Sequence, residues 1–167
     1  MSPPNPSPYR FVLSTLVAAV AAALAAATSL ALSLPVWAMF IGWIAFFTRG
    51  VNTRSAFENL ACVGLGLVIG VGASVVIARL APAMGPGLAL PVVVFVVALA
   101  VVSLRGLPIL NNLLGYFLGL VAWFAAHLEP SLQSLAQLFT ASMVGSAAGW
   151  LSHMIPHRLF KPAQTHA

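Results

Sequence analysis

The residues of this chain that could do chemistry are few, and they stand beside long apolar segments. Glu58 is one of only two acidic residues, and Asn59 follows it directly. An acid beside a membrane segment is costly to bury and marks an ion or proton path. Asn111 and Asn112 precede a later apolar segment, and Gln137 lies near the start of the last one. These five polar residues are the candidates for the path of a small solute or ion.

A structural role competes with this functional one at Glu58 and Gln137. Both stand three residues after a serine, as Ser55-x-x-Glu58 and Ser134-x-x-Gln137, which is the spacing of a capping box. There the serine oxygen accepts the N–H three residues on, and the acid or amide reaches back to the first N–H. Helix ends near a bilayer must satisfy such donors within the protein, because lipid offers no partners. The spacing favours capping and leaves the functional interpretation open.

Metal binding and catalysis have less support. His153 and His157 have the i, i+4 spacing of a ligand pair, but Met154 stands where the metalloprotease pattern requires glutamate. Pro156 is also expected to break the helix between the two histidines. Cys62 is the only cysteine, and its apolar neighbours indicate packing. With no nucleophile elbow, P-loop or dinucleotide motif, we expect no metal, no cofactor and no enzymatic activity.

The composition determines what kind of chain carries these residues. Only 5% of the residues are charged and 61% are hydrophobic, and the mean hydropathy is +1.04. Soluble domains carry roughly a quarter of charged residues, so most of this surface must face a lipid bilayer. The pI of about 10.8 follows from seven bases against two acids. Because the bases are scattered singly, we expect no nucleic-acid partner.

Six apolar segments predict an all-α polytopic membrane protein with about six transmembrane helices, each near the roughly 20 residues that a bilayer requires. They cover residues 11–33, 35–48, 56–80, 87–104, 107–127 and 131–155, and the second is short enough to leave full spanning open. The chain is thus expected to be a single membrane domain over 11–155. Residues 1–10 would be a disordered cytoplasmic N-terminus, and residues 156–167 a cytoplasmic tail.

Positive charge between the segments predicts the orientation, because cytoplasmic loops are enriched in Lys and Arg. With six spans, one side carries all the basic residues but one, and the other side carries only Arg79. The basic side holds Arg10, Arg49, Arg54, Arg105, Arg158 and Lys161. Both termini are therefore predicted to be cytoplasmic.

An internal repeat relates the second and fifth segments and continues into the third and sixth. Its motif residues are Phe40, Gly42, Trp43 and Phe47 in the first copy and Phe117, Gly119, Trp123 and Phe124 in the second. Ser55 and Glu58 then align with Ser134 and Gln137, and Gly66 and Gly70 align with Gly145 and Gly149. Chance similarity between apolar segments is the alternative. Three spans in each half, about 11–80 and 87–155, predict a 3+3 inverted-topology repeat, an architecture of transporters and channels.

Glycines at four-residue spacing indicate where the helices meet. The pairs are Gly66 with Gly70, Gly115 with Gly119, and Gly145 with Gly149. Such faces let helix backbones approach closely inside a membrane. A second interpretation makes Gly42 and Gly119 places where the backbone lines a pore. Six short spans enclose little volume, so we also expect a homo-oligomer held by the glycine faces.

The stretch from Phe40 to Phe47, Phe-x-Gly-Trp-x-x-Phe-Phe, is followed by Arg49-Gly50. With the six-segment layout, it resembles a family of small bacterial inner-membrane proteins named for the domain of unknown function 1097. The resemblance extends over about residues 11–155. It implies a bacterial inner-membrane location. The family has no established activity, so no functional residue is carried over from it.

The sequence therefore predicts a small membrane protein that is a channel or transporter, or a subunit of one, for a small solute or ion. The alternative is a structural or regulatory membrane subunit that transports nothing. A polar, water-accessible path between the two halves would favour transport, and a dry core would favour the alternative.

Overall fold

The computed structural model describes residues 8–159, and this part of the chain consists of six α-helices joined by short turns and loops. The helices are α1 (Pro8–Ala31), α2 (Val36–Thr48), α3 (Thr53–Met84), α4 (Pro86–Leu104), α5 (Leu113–Ala126) and α6 (Leu132–Leu159). No strand occurs between residues 8 and 159, which confirms the all-α prediction. Disorder was expected over residues 1–10, but residues 8–10 already belong to α1, so that part of the prediction is wrong. Residues 1–7 and most of the expected tail lie outside the described residues.

The helices fall into two length classes, a long one with α1, α3, α4 and α6 and a short one with α2 and α5. By length and composition, α1, α3 and α4 are able to cross a membrane. In contrast, α2 has 13 residues and α5 has 14. At a rise of 1.5 Å per residue these two are about 20 Å long, well under the roughly 30 Å hydrocarbon core of a bilayer. The second segment was predicted to be short, and the structure shows that the helix of the fifth segment is short as well.

Large apolar side chains cover the outside of the bundle. On α4, Leu88, Phe95 and Leu99 are each more than 60% exposed. Soluble monomers rarely expose contiguous apolar surface on this scale. Together with the three helices that are both long and apolar enough to cross a membrane, this surface indicates a membrane protein.

Two helix boundaries differ from the prediction. The fifth segment was expected from residue 107, but α5 begins at Leu113 because Asn112 is its N-cap and accepts a hydrogen bond from the Gly115 N–H at 3.3 Å. The apolar residues before Asn112 belong to a loop. The expected break at Pro156 is wrong, since α6 continues through it to Leu159.

The helices pack in crossed pairs rather than in chain order. The most extensive contacts join α2 to α6 and α3 to α5, while α1 lies mainly on α6 and α4 mainly on α3. The α2–α3 turn meets the α4–α5 loop, where Arg49 Nη2 donates to the Ile109 carbonyl at 3.1 Å. The α6 C-terminal half reaches the same end, since Trp150 Nε1 donates to Thr53 Oγ1 at 3.0 Å. We call this the arginine end; its arginines are Arg10, Arg49, Arg54, Arg105 and Arg158.

The backbones of α2 and α6 touch where the two helices cross. A Cβ atom added at Gly42 would overlap the Ser142 carbonyl, and one added at Gly145 would overlap the Met39 carbonyl. Gly149, one turn beyond, faces the Phe46 side chain. Helix axes can come this close only where side chains are absent.

The crossing of α3 and α5 has the same construction. A Cβ at Gly66 would overlap the Tyr116 carbonyl, and one at Gly119 would overlap the Val63 carbonyl. One turn on, Gly70 lies against the Trp123 side chain. Both crossings therefore depend on a pair of glycines, one contributed by each helix. Because these glycine faces are occupied within one chain, the expectation that they hold a homo-oligomer together is wrong.

Alanine at a crossing should loosen the bundle. We expect Gly42→Ala and Gly145→Ala each to lower the free energy of unfolding by about 1–3 kcal/mol, because the added methyl groups overlap a carbonyl that only a backbone shift can clear. Thermal unfolding of the purified protein in detergent measures this. Gly72→Ala in α3 is the control, since nothing lies within 4 Å of its Cβ position, and we expect unchanged or slightly higher stability. Equal effects at Gly42 and Gly72 would contradict the contact.

Candidate functional site

Glu58 forms the charged part of a polar cluster at the arginine end. Its carboxylate accepts hydrogen bonds from Arg49 Nη2 at 2.5 Å and from Arg54 Nε at 2.8 Å. The Glu58 side chain is 17% exposed, whereas that of Arg54 is 80% exposed. The acid is thus mostly buried and is matched by two cations, which lowers the cost of removing its charge from water.

The helix caps lie elsewhere than predicted. The Asn52 side chain caps α3 by accepting the Ser55 N–H at 2.9 Å. At α6, Ser131 Oγ accepts the Ser134 N–H at 3.0 Å. Both predicted capping boxes are therefore wrong, because each capping residue lies three positions before the expected serine. Glu58 is left free of a capping role and pairs with arginine instead.

Two buried asparagines connect three helices beside Glu58. Asn112 Nδ2 donates to Asn59 Oδ1 at 2.8 Å and to Thr48 Oγ1 at 2.6 Å. Asn59 is fully buried and Asn112 is 5% exposed. Because Thr48 ends α2, Asn59 belongs to α3 and Asn112 begins α5, these two bonds join the three elements at one point. Buried amides require such partners, since an unsatisfied polar group costs free energy.

The end of α2 explains why Asn59 is needed. The last carbonyls of a helix have no partner within it, and Asn59 Nδ2 donates to the Arg49 carbonyl at 2.8 Å. The chain then turns at Gly50, whose φ of 57° is in the left-handed region that glycine adopts without strain. This turn sends α3 back along the bundle and brings Asn59 and Glu58 beside the end of α2.

The structure brings four of the five candidate path residues to one end. Glu58, Asn59, Asn111 and Asn112 lie at the arginine end, with Asn111 half-buried next to Asn112. Gln137 lies at the opposite end, near the start of α6, where its Nε2 donates to the Ser33 carbonyl at 3.2 Å. The candidate set is thus split between the two ends of the bundle.

The two histidines of α6 are close to each other. The rings of His153 and His157 stack with their centroids 6.1 Å apart, which the uninterrupted helix allows. Within residues 8–159, no group of three or more His, Cys, Asp or Glu side chains is placed to hold a metal ion.

Sequence reasoning missed two residues of the polar cluster. Thr48 receives a bond from Asn112 across 64 positions of chain, and no local pattern points to such a contact. The buried Tyr116 donates from its hydroxyl to the Leu110 carbonyl at 3.0 Å, holding the loop before α5. For Asn112 a signal was present, because an asparagine directly before an apolar run is a typical N-cap.

Three grooves lie on the sides of the bundle in the described part of the chain. One runs between α1 and α6, a second between α3 and α6, and a third along α3, α4 and α5. All three have predominantly apolar linings, and none includes Glu58, Asn59 or Asn112. The polar cluster is packed against its neighbours rather than open to these grooves.

An all-helical bundle with apolar spans and a polar cluster at one end belongs to the class of small polytopic membrane proteins. Over residues 15–157 the chain matches the family described as "protein of unknown function (DUF1097)". It therefore belongs to this family, and the resemblance seen at Phe40 to Gly50 is confirmed. No curated protein and no solved structure matched the chain.

Removing the Asn112 side chain should open the polar cluster. Asn112→Ala deletes an N-cap and leaves Asn59 Oδ1 without a donor, so we expect the free energy of unfolding to fall by about 2–3 kcal/mol. Asn111→Ala is the matched control, and we expect a change within roughly 0.5 kcal/mol. Thermal unfolding of the purified variants measures both. Equal destabilisation by the two variants would show that the cluster does not hold the helices together.

Proposed function

We propose that this chain is a six-helix membrane protein with a 3+3 inverted-topology repeat that forms a channel or transporter, or a subunit of one, for a small solute or ion. It acts in the bacterial inner membrane as a homo-oligomer, with both termini in the cytoplasm and without enzymatic activity. The observation that carries the proposal is the correspondence between the two glycine crossings.

The repeat alignment matches the residues that build these crossings. It pairs Gly42 with Gly119, and the residues at the facing carbonyls correspond in the same way, Met39 to Tyr116. In the other pair of helices it matches Gly66 with Gly145, and Val63 with Ser142. Each of these two glycine contacts of α2 with α6 therefore has a counterpart between α5 and α3. Chance similarity between apolar segments gives no reason for this agreement in space.

Further pairs follow the same alignment. Gly70 faces Trp123 as Gly149 faces Phe46. The caps Asn52 and Ser131 correspond, and so do Arg79 and Arg158. Arg79 was the single basic residue on the side predicted to be external. An inverted repeat accounts for it, because the pseudo-twofold axis carries the position of Arg158 to the opposite end of the bundle.

The short helices support transport. In inverted-repeat transporters, a pair of unusually short segments at matching positions of the two halves points to the binding site. Here α2 and α5 are the matching short helices, and they contact each other. At the arginine end their junction carries Asn112 and Asn59, while the counterparts at the other end are Pro35 and Leu138. A solute would thus meet a polar entrance on one side only.

The second candidate function is a structural or regulatory membrane subunit. Two observations favour it: the amides of Asn59 and Asn112 bond to protein groups, and the three side grooves are apolar. Both describe a closed core. Transport would then require the helices to separate or a second copy to complete the path.

Cysteine labelling tests the orientation. In a Cys62→Ala background, Gly106→Cys in the α4–α5 loop should resist a membrane-impermeant maleimide added outside intact spheroplasts. Ser131→Cys at the opposite end should react, because the basic loops are expected inside. Permeabilised cells, in which both sites should label, provide the control. Labelling of Gly106→Cys alone in intact spheroplasts would reverse the proposed orientation.

Flux in proteoliposomes tests transport directly. We expect the reconstituted protein to pass at least one member of a panel of small ions and neutral solutes faster than empty liposomes. Glu58→Gln should lower that flux several-fold, because it removes the negative charge. The glutamine keeps one of the two oxygens that accept hydrogen bonds from the arginines, so it is the closest uncharged replacement.

Glu129→Gln is the control for this experiment. It removes the other acid, which is exposed in the α5–α6 loop, so its flux should equal that of the unchanged protein. Both variants must elute as the unchanged protein does in size-exclusion chromatography. Flux no faster than that of empty liposomes for every solute would support the structural subunit instead.

A further inference from the structure

The groove between α1 and α6 is long, apolar and open to the side of the bundle. Its walls are aliphatic stripes at helical spacing on both helices, formed by Leu16, Val20 and Leu24 on α1 and by Val144, Leu151 and Ile155 on α6. The polar Thr28, at the end away from the arginines, bonds its own helix at the Leu24 carbonyl. The side chains that line the groove therefore offer no free hydrogen-bonding group to a polar ligand.

The dimensions of the groove suit one hydrocarbon chain. From Val144 to Ile155 the α6 wall is about 17 Å long at the rise of an α-helix. This is just over half of the roughly 30 Å hydrocarbon core, and half of the core is the depth of one lipid leaflet. An acyl chain lying in the groove would therefore reach from the arginine end to about the middle of the bilayer.

Positive charge continues both stripes beyond the groove. Arg158 stands three residues after Ile155 and seven after Leu151, so it lies on the groove face of α6. Arg10 stands seven residues before Val17, a groove residue, and so continues the face of α1 at the same end. Arg158 is exposed in the last turn of its helix. An apolar groove that ends in arginine is complementary to an acyl chain that ends in a phosphate.

We propose that this groove binds one membrane phospholipid with an anionic headgroup, its acyl chain along α1 and α6 and its phosphate at Arg158. A second copy of the chain fits less well. Copies insert in the same orientation, so another protomer would bring its own arginine end beside Arg10 and Arg158, and like charges would meet. The proposal concerns a different surface from the transport path and stands without it.

Native mass spectrometry of the detergent-purified protein, titrated with phosphatidylglycerol or phosphatidylcholine, tests the site. We expect one tightly bound phosphatidylglycerol and weaker binding of phosphatidylcholine. Arg158→Gln should weaken phosphatidylglycerol binding about fivefold, the factor expected from one arginine at an anionic surface. It should weaken phosphatidylcholine binding less, because the choline cation offsets the charge of that lipid's phosphate. Val20→Trp should weaken binding of both lipids, because the indole fills the groove from a position that is 51% exposed.

Two control variants make the result specific. Arg105→Gln removes one charge from the same end but outside the groove, and Leu30→Trp adds an indole to α1 at a position that is 69% exposed and does not line the groove. Neither should change lipid binding. Equal loss from Arg105→Gln and Arg158→Gln, or equal affinity for the two lipids, would overturn the proposal. A different result would be dimers in the mass spectra that are lost in Val20→Trp and kept in the other variants. That result would also overturn the proposal and would assign the groove to a second copy of the chain.

Discussion

Backbone contact between helices is the constraint on which this structure depends. In a membrane the hydrophobic effect does not drive helices together, because lipid tails are as apolar as leucine, so association relies on close packing and hydrogen bonds. Here Gly42 and Gly145 bring α2 against α6, and Gly66 and Gly119 bring α5 against α3. These two crossings hold the short helices α2 and α5 in place between the longer helices.

The polar cluster at the arginine end follows from that arrangement. Once α2 and α5 are held by their crossings, the last turn of one and the first turn of the other lie beside the start of α3. Their unpaired backbone groups need partners, which Asn59 and Asn112 provide. Glu58 completes the cluster by offsetting two of the arginines that gather there. Hydrogen bonding and charge pairing thus close one end of a bundle that glycines assemble in its middle.

The two ends of the bundle differ in chemistry, although the proposed repeat would relate them to each other. The counterparts of Asn59, Asn112 and Glu58 are Leu138, Pro35 and Gln137, so charge and buried amides are confined to one end. In the proposed repeat, the residues on which the crossings depend correspond, and those at the two ends differ. This difference is the reason to look for a function at the arginine end rather than at its counterpart.

The sequence alone determined that the chain is helical and apolar enough for a membrane, and its motif from Phe40 to Gly50 identified the family. These properties depend on composition and on local sequence patterns, which can be recognised without knowing how the helices pack. The start of α5 and the caps at Asn52 and Ser131 were misjudged because apolar loop residues and repeated serines imitate helix signals. Only the tertiary structure decided which helices pair and that Glu58 meets Arg49, since partners such as Thr48 and Asn112 are far apart in the chain and become neighbours only when the glycine crossings form.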